Sequence, residues 1–71
     1  MHKDFDKALG AALREARKEK GLSQQDVAEK LNVSKMAVSH WEKGDRSMTA
    51  LNLIKYCKAI GISIDTALDQ T

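Results

Sequence analysis

The sequence predicts an all-α fold, a compact domain of five short helices joined by brief loops. Three observations favour this class. The 71 residues include no proline, and the helix-favouring residues alanine, leucine, lysine and glutamate recur throughout the chain. Apolar residues return at every third or fourth position, which is the period of one helix face. Residues that cap helices precede these stretches, and three of the four glycines follow them.

Each helix is expected to present an apolar stripe to a common core. In the first helix the stripe begins at Phe5, and Asp4 is expected to cap the helix start. The fourth helix is expected to use Ala50, Leu53, Ile54, Cys57 and Ile60. The predicted helices span residues 4–20, 23–31, 34–43, 49–60 and 63–69.

Size and composition limit the possible functions. A chain of 71 residues, 42% hydrophobic and 31% charged, suits one folded domain over residues 1–71 with little room for an enclosed active site. The net charge of +2 is too small to identify a nucleic-acid binder by itself. The single cysteine, Cys57, permits no internal disulfide, and no apolar run has the length of a membrane span. We therefore expect a cytoplasmic protein without a membrane segment.

No pattern of chemically reactive residues stands out. The two histidines and the cysteine lack the spacing of zinc ligands, and no glycine-rich phosphate loop or nucleophile–base pair is recognisable. Cys57 is expected to be a small buried hydrophobe rather than a nucleophile. The sequence thus predicts no metal, no cofactor and no enzymatic activity.

The second and third helices form the informative pair, at about residues 23–43. Ser23 and Asp26 have the spacing of a capping box, and Ser34 can cap the following helix. Only about three residues, with Asn32 among them, separate the helices, and asparagine tolerates the left-handed conformation that a tight turn requires. So short a connection makes the helices cross steeply, as in a helix-turn-helix, and small Ala28 permits their close approach.

The third helix has two different sides. Val38 and Trp41 are predicted to point into the core, so the opposite side carries polar, basic and one apolar group without an acid. This outer side consists of Lys35, Met36, Ser39, His40 and Lys43. It is either an ordinary solvated surface or the face of a recognition helix that enters a DNA major groove. Trp41 is expected to anchor the core rather than stack on bases.

The pair resembles the helix-turn-helix of the lambda repressor/Cro family, which is also called the Xre family. The resemblance is carried by residues 21–24 (GLSQ), Ala28, residues 38–44 (VSHWEKG) and residues 59–63 (AIGIS). It extends from about Phe5 to Leu68 and implies a lambda repressor-like domain that binds double-stranded DNA. Asn32 stands where the family often has glycine, and Met48 where it often has proline, so the start of the fourth helix is less well defined.

The outer side of the third helix is expected to contact DNA bases. Lys35 can donate to guanine O6 and N7, and Met36 can pack on a thymine methyl. Ser39 can pair with several bases. His40 either reaches a base or a phosphate or is an ordinary exposed histidine.

Phosphate contacts are expected around these residues. The family resemblance places Gln24 on the DNA backbone, near free N–H groups at its helix start. The other candidates are Ser23, Ser34, Lys43 and Arg46, and the two basic residues among them can instead be plain surface charges.

The resemblance also suggests that Arg17 and Glu42 form an ion pair that sets the angle of the recognition helix.

These features favour a transcriptional regulator, most readily a repressor that reads a palindrome as a homodimer, because one helix-turn-helix contacts few bases. The expected dimer surface comprises Ile62, Ile64, Ala67 and Leu68, which can alternatively cover only the core. Two other functions remain open. One is an antitoxin or controller protein that also binds a protein partner, and the other is a helical interaction module without a DNA role.

Overall fold

The computed structural model describes residues 3–69, and these form helices without any β-strand. The prediction of an all-α, five-helix fold is confirmed. The helices are α1 (Lys3–Glu19), α2 (Gln24–Leu31), α3 (Lys35–Lys43), α4 (Ala50–Ile60) and α5 (Ile64–Asp69).

The helices pack around one core, with α3 between α1 and α2. α1 contacts α3, α4 and α5, whereas α2 packs on α3 and α4. Leu13, Val27 and Val38 are fully buried where these helices meet. This packing holds α3 from one side and leaves its other side to solvent.

Gly10 explains how closely α1 approaches α3. A Cβ atom at this position would lie 2.4 Å from the Trp41 carbonyl oxygen and 2.6 Å from that of Glu42. These are backbone atoms, so a larger side chain would have to push the two helices apart. The glycine inside α1 therefore serves helix packing.

The turn between α2 and α3 has the predicted capping. The Ser23 hydroxyl accepts from the Asp26 N–H at 3.0 Å, and the Asp26 carboxylate accepts from the Ser23 N–H at 2.9 Å, which completes the capping box. Asn32 ends α2 in the left-handed conformation (φ 59°, ψ 46°), and the Ser34 hydroxyl accepts from the Ala37 N–H. α2, the turn at Asn32 and α3 thus follow one another from the Ser23 cap to Lys43.

Three expectations about the helices are wrong. Phe5, the predicted start of the core-facing stripe of α1, is 48% exposed. α1 begins at Lys3, so Asp4 lies inside its first turn, where a carboxylate complements the helix dipole, and not at the cap. α4 buries Tyr56 completely and leaves Ile54 44% exposed, because its core face is rotated from the predicted stripe. The tyrosine tolerates full burial because its hydroxyl donates to the Glu42 carboxylate.

None of the described helices combines the length and the apolar character that a membrane crossing needs. Within residues 3–69, no three histidine, cysteine, aspartate or glutamate side chains gather as they would around a metal ion.

Candidate nucleic-acid interface

The two sides of α3 differ sharply in exposure. Val38 is fully buried and Trp41 is 8% exposed, so the tryptophan lies in the core as expected. On the opposite side, the Met36 side chain is 68% exposed. Met36 and Val38 lie on opposite sides of the helix because two positions along it correspond to a rotation of about 200°.

An open groove runs along the outer side of α3. It is lined by Gln24, Lys35, Met36, Ser39, His40 and Lys43. All four predicted base-contacting residues therefore share one surface with two of the predicted phosphate-contacting residues. No acidic side chain lines the groove, and neither lysine forms an ion pair within the described part of the chain.

The other predicted phosphate contacts lie outside this groove. Ser23 and Ser34 are exposed N-caps whose hydroxyl oxygens accept backbone hydrogen bonds, which leaves each hydroxyl hydrogen able to donate outward. Arg46 is exposed in the loop between α3 and α4. That loop is tied to α1 because the Ser47 hydroxyl donates to Asp6 at 2.6 Å.

The inner side of α3 carries a buried ion pair. Arg17 donates from Nε to Glu42 Oε2 at 2.8 Å and from its second terminal nitrogen to Oε1 at 3.0 Å. The remaining guanidinium nitrogen donates to the Leu22 carbonyl oxygen at 2.7 Å. The Arg17 and Glu42 side chains are 9% and 1% exposed, so the pairing that the resemblance suggested is present and buried.

Glu42 accepts two further hydrogen bonds. Gln24, at the start of α2, donates to Oε1 at 3.1 Å, and the Tyr56 hydroxyl of α4 donates to Oε2. A carboxylate offers about four acceptor positions, and here all four are used. One residue of α3 is thereby bound to α1, α2 and α4 at once. We call this set of four residues, Arg17, Gln24, Glu42 and Tyr56, the Glu42 network.

The protonation states in the Glu42 network favour the ion pair. Burial acts to raise the pKa of the Glu42 carboxyl, but the donors of Arg17, Tyr56 and Gln24 outweigh it and hold this pKa below its ordinary value. The hydrogen bond to Glu42 raises the pKa of Arg17. Burial and then the neighbouring carboxylate raise the pKa of Tyr56, so its hydroxyl keeps its proton and acts as a donor.

Burial also raises the pKa of Cys57, in keeping with an inert core thiol.

Tyr56 is the member of the Glu42 network that the sequence analysis missed. Its one available signal is the spacing of Leu53, Tyr56, Cys57 and Ile60, which also fits one helix face. Choosing that face over the predicted one requires knowledge of what α4 packs against.

The predicted dimer residues fall into two groups. The expectation that Ala67 contributes to a dimer surface is wrong, because its side chain is 1% exposed and belongs to the core of its own chain. Ile62 and Ile64 are half-buried against that core, and Leu68 is 39% exposed.

Comparison with known proteins gives a consistent result. A model of the helix-turn-helix family matches residues 13–66. An uncharacterised HTH-type transcriptional regulator, y4dJ of Sinorhizobium fredii, is 32% identical over 96% of this chain and 92% of its own.

Two solved structures show the same fold. The clp gene regulator ClgR of Corynebacterium glutamicum superimposes with a TM-score of 0.89 and 35% identity, over 92% of this chain and 84% of the other. The restriction-modification controller protein C.AhdI of Aeromonas hydrophila gives 0.82 and 31%, over 86% and 92%. Together with the match over residues 13–66, these likenesses place the chain in the lambda repressor-like (Xre) helix-turn-helix family of DNA-binding transcriptional regulators.

Proposed function

We propose that the protein is a repressor that binds a palindromic operator as a homodimer and acts in the cytoplasm. The observation that carries this proposal is the contrast across α3, whose inner side is fixed by four hydrogen bonds to Glu42 while its outer side is open and basic. A helix held in this way can enter a major groove without rearrangement. Family membership favours this function over an interaction module without DNA binding.

The outer side of α3 supplies the base contacts in this proposal. Lys35 donates to a guanine, Met36 packs on a thymine methyl, and Ser39 and His40 contact neighbouring base edges. Exposure of Met36 supports its role, since an apolar side chain that is 68% exposed gains from burial against a methyl group.

Phosphate contacts fix the register of the helix on the DNA. Gln24 donates one amide hydrogen to Glu42, which leaves its second amide hydrogen to donate to a phosphate of the DNA backbone. Ser23, Ser34, Lys43 and Arg46 complete the set. Gln24 belongs to the Glu42 network and also lines the groove. The hydrogen bond that helps to fix the angle of α3 therefore also positions a side chain that contacts the DNA backbone.

A homodimer doubles the number of bases read, and we place its surface on α5 and the residues that lead into it. Ile62, Ile64 and Leu68 keep part of their apolar surface there, while Ala67 is excluded by its burial. Two recognition helices related by a two-fold axis would read half-sites about 34 Å apart.

Selection of duplexes from a random pool, followed by gel-shift titration, tests the proposal. We expect an inverted repeat with a half-site spacing near one helical turn, and affinity that falls steeply with salt. Leu68→Glu should weaken binding to the full palindrome much more than binding to a single half-site, with Asp69→Glu as the exposed control. Selection of no common sequence, or equal binding to scrambled DNA, would contradict the proposal.

A narrower second candidate is a controller protein that also binds a protein partner. The likeness to C.AhdI, a restriction-modification controller, favours it. Both candidates share the DNA-binding face, so mutations there do not separate them. Purification of the tagged chain from its native host, with and without nuclease, distinguishes a direct protein partner from one held by DNA.

A further inference from the structure

His40 has an unusual environment for a residue in the outer groove. Its Nδ1 atom is buried and makes no hydrogen bond, and residues 3–69 contain no other buried side-chain nitrogen or oxygen in that condition. The Asp45 carboxylate oxygen Oδ2 lies 3.5 Å from it. Buried polar atoms are rarely left without a partner, so this arrangement calls for a physical explanation.

The end of α3 puts Asp45 in this place. Gly44 adopts the left-handed conformation (φ 77°), and the Asp45 N–H then donates back to the His40 carbonyl oxygen at 3.0 Å. A Cβ at Gly44 would lie 2.7 Å from the Cα of Lys7, so α1 covers the turn from the other side. The same turn that ends the helix therefore returns the Asp45 carboxylate to the imidazole.

The carboxylate decides which ring nitrogen of a neutral imidazole carries the proton. A lone pair on Nδ1 would face the negative charge at 3.5 Å, whereas an N–H there is attracted to it. Asp45 therefore favours the tautomer with the proton on Nδ1. The other nitrogen, Nε2, is then a hydrogen-bond acceptor.

We propose that Asp45 determines the base preference of His40 by fixing this tautomer. The inference rests on the proposed function, in which the outer groove receives DNA. The His40 side chain is 31% exposed although Nδ1 is buried, so Nε2 is the ring nitrogen that DNA can reach. An acceptor selects adenine over guanine, or cytosine over thymine, because an amino group donates where the other base has a carbonyl oxygen. The same tautomer cannot donate to a phosphate, so His40 is assigned to base reading.

Base preference after a change at Asp45 tests the proposal. The wild type, Asp45→Asn and His40→Ala are titrated against the pool-selected duplex and its single-base variants. In Asp45→Asn the amide can donate to Nδ1, which frees Nε2 to carry the proton. We expect the adenine/guanine or cytosine/thymine preference at one base pair to shrink or invert by about fivefold or more, with other positions unchanged.

Two control variants show whether the change in base preference acts through His40 or through a general loss of charge. His40→Ala should abolish the preference at that same base pair. Arg46→Gln, a charge change at the next residue of the loop, should weaken all duplexes alike, as expected for a phosphate contact. An unchanged base preference in Asp45→Asn would overturn the inference.

Nitrogen NMR of the His40 ring tests the tautomer without DNA. We expect the wild type to show the proton on Nδ1 and Asp45→Asn to lose this bias. A wild-type ring protonated on Nε2 overturns the inference and leaves the proposed function intact. A wild type without any sequence preference overturns the proposed function, and the base-reading role of His40 with it, whatever the ring spectra show.

Discussion

The inner and outer sides of α3 differ in how their side chains are bonded to the rest of the protein. On the inner side, every acceptor position of Glu42 is occupied, and the donors come from α1, α2 and α4. On the outer side, Lys35, Ser39 and Lys43 take no part in any side-chain hydrogen bond or ion pair within residues 3–69. The nine-residue helix α3 is thus held in place by hydrogen bonds on its inner side, whereas these three outer side chains make no such bonds.

The contrast shows how so small a domain separates folding from recognition. A buried ion pair adds little net stability, because desolvation offsets most of the attraction, but it permits one helix orientation only. The outer residues contribute little to that orientation. Stability and DNA preference should therefore respond to different mutations.

Removal of the Glu42 carboxylate should have the largest effect. Glu42→Leu leaves the Arg17 guanidinium buried without its partner, which we expect to cost about 3–5 kcal/mol of unfolding free energy. Urea denaturation measures this cost, with Glu29→Leu as the control at an exposed glutamate of α2. The double variant Arg17→Met/Glu42→Leu should recover most of the loss, since neither charge is then left alone. A double variant as unstable as the single one would show that packing, not charge, dominates the site.

Acid should act on the same carboxylate. The folded-state pKa of Glu42 lies below its ordinary value, so this residue stabilises the fold above the unfolded-state pKa of about 4.3. That contribution is lost as the pH falls through the lowered pKa. Glu42→Gln should therefore be less stable than the wild type near pH 7 but lose less stability between about pH 5 and pH 2. Parallel pH profiles of the urea midpoint in the two proteins would contradict the assignment.

A methyl group at Gly10 should strain the contact between α1 and α3. Alanine normally favours a helix over glycine by about 1 kcal/mol. Here its Cβ would meet the Trp41 carbonyl oxygen at 2.4 Å, so we expect Gly10→Ala to destabilise by about 1–3 kcal/mol. Because the strain falls on α3 itself, DNA affinity should fall as well at a temperature where the variant is folded. Increased thermal stability of Gly10→Ala would show that the helices separate easily and that α3 is not held as described.

Loss of the tyrosine hydroxyl should have a smaller effect. Tyr56→Phe keeps the buried ring but removes one of the four donors to Glu42, and hydrogen bonds to charged groups contribute about 1.5–3 kcal/mol. The three remaining donors keep the carboxylate charged, so we expect a cost near the lower end of that range. Cys57→Ala, also in the α4 core, controls for general loosening. A Tyr56→Phe variant as stable as the wild type would remove α4 from the Glu42 network.

The burial of Tyr56 is an example of a feature that the sequence could not predict. The two sides of α3 follow from 100° per residue, and the caps at Ser23 and Asn32 follow from local backbone chemistry, so both could be predicted. The core face of α4 could not, because two stripes share Leu53, Cys57 and Ile60 and only the packing partner chooses between them. Asp45 was missed for a related reason, since its importance depends on a turn that returns it to His40.

Substitutions on the outer side should leave stability nearly unchanged. Met36→Ala and Lys43→Ala remove exposed side chains, so each should alter the unfolding free energy by no more than about 0.5 kcal/mol. Their effects on DNA should differ from each other. Lys43→Ala should weaken all duplexes and reduce the slope of log K against log salt by about 0.9, as expected for one lost phosphate contact. Met36→Ala should leave the slope unchanged and lower the preference for thymine at one position. A stability loss above 1 kcal/mol in either variant would mean that the outer side of α3 also takes part in holding the fold, and the separation drawn between its two sides would be wrong.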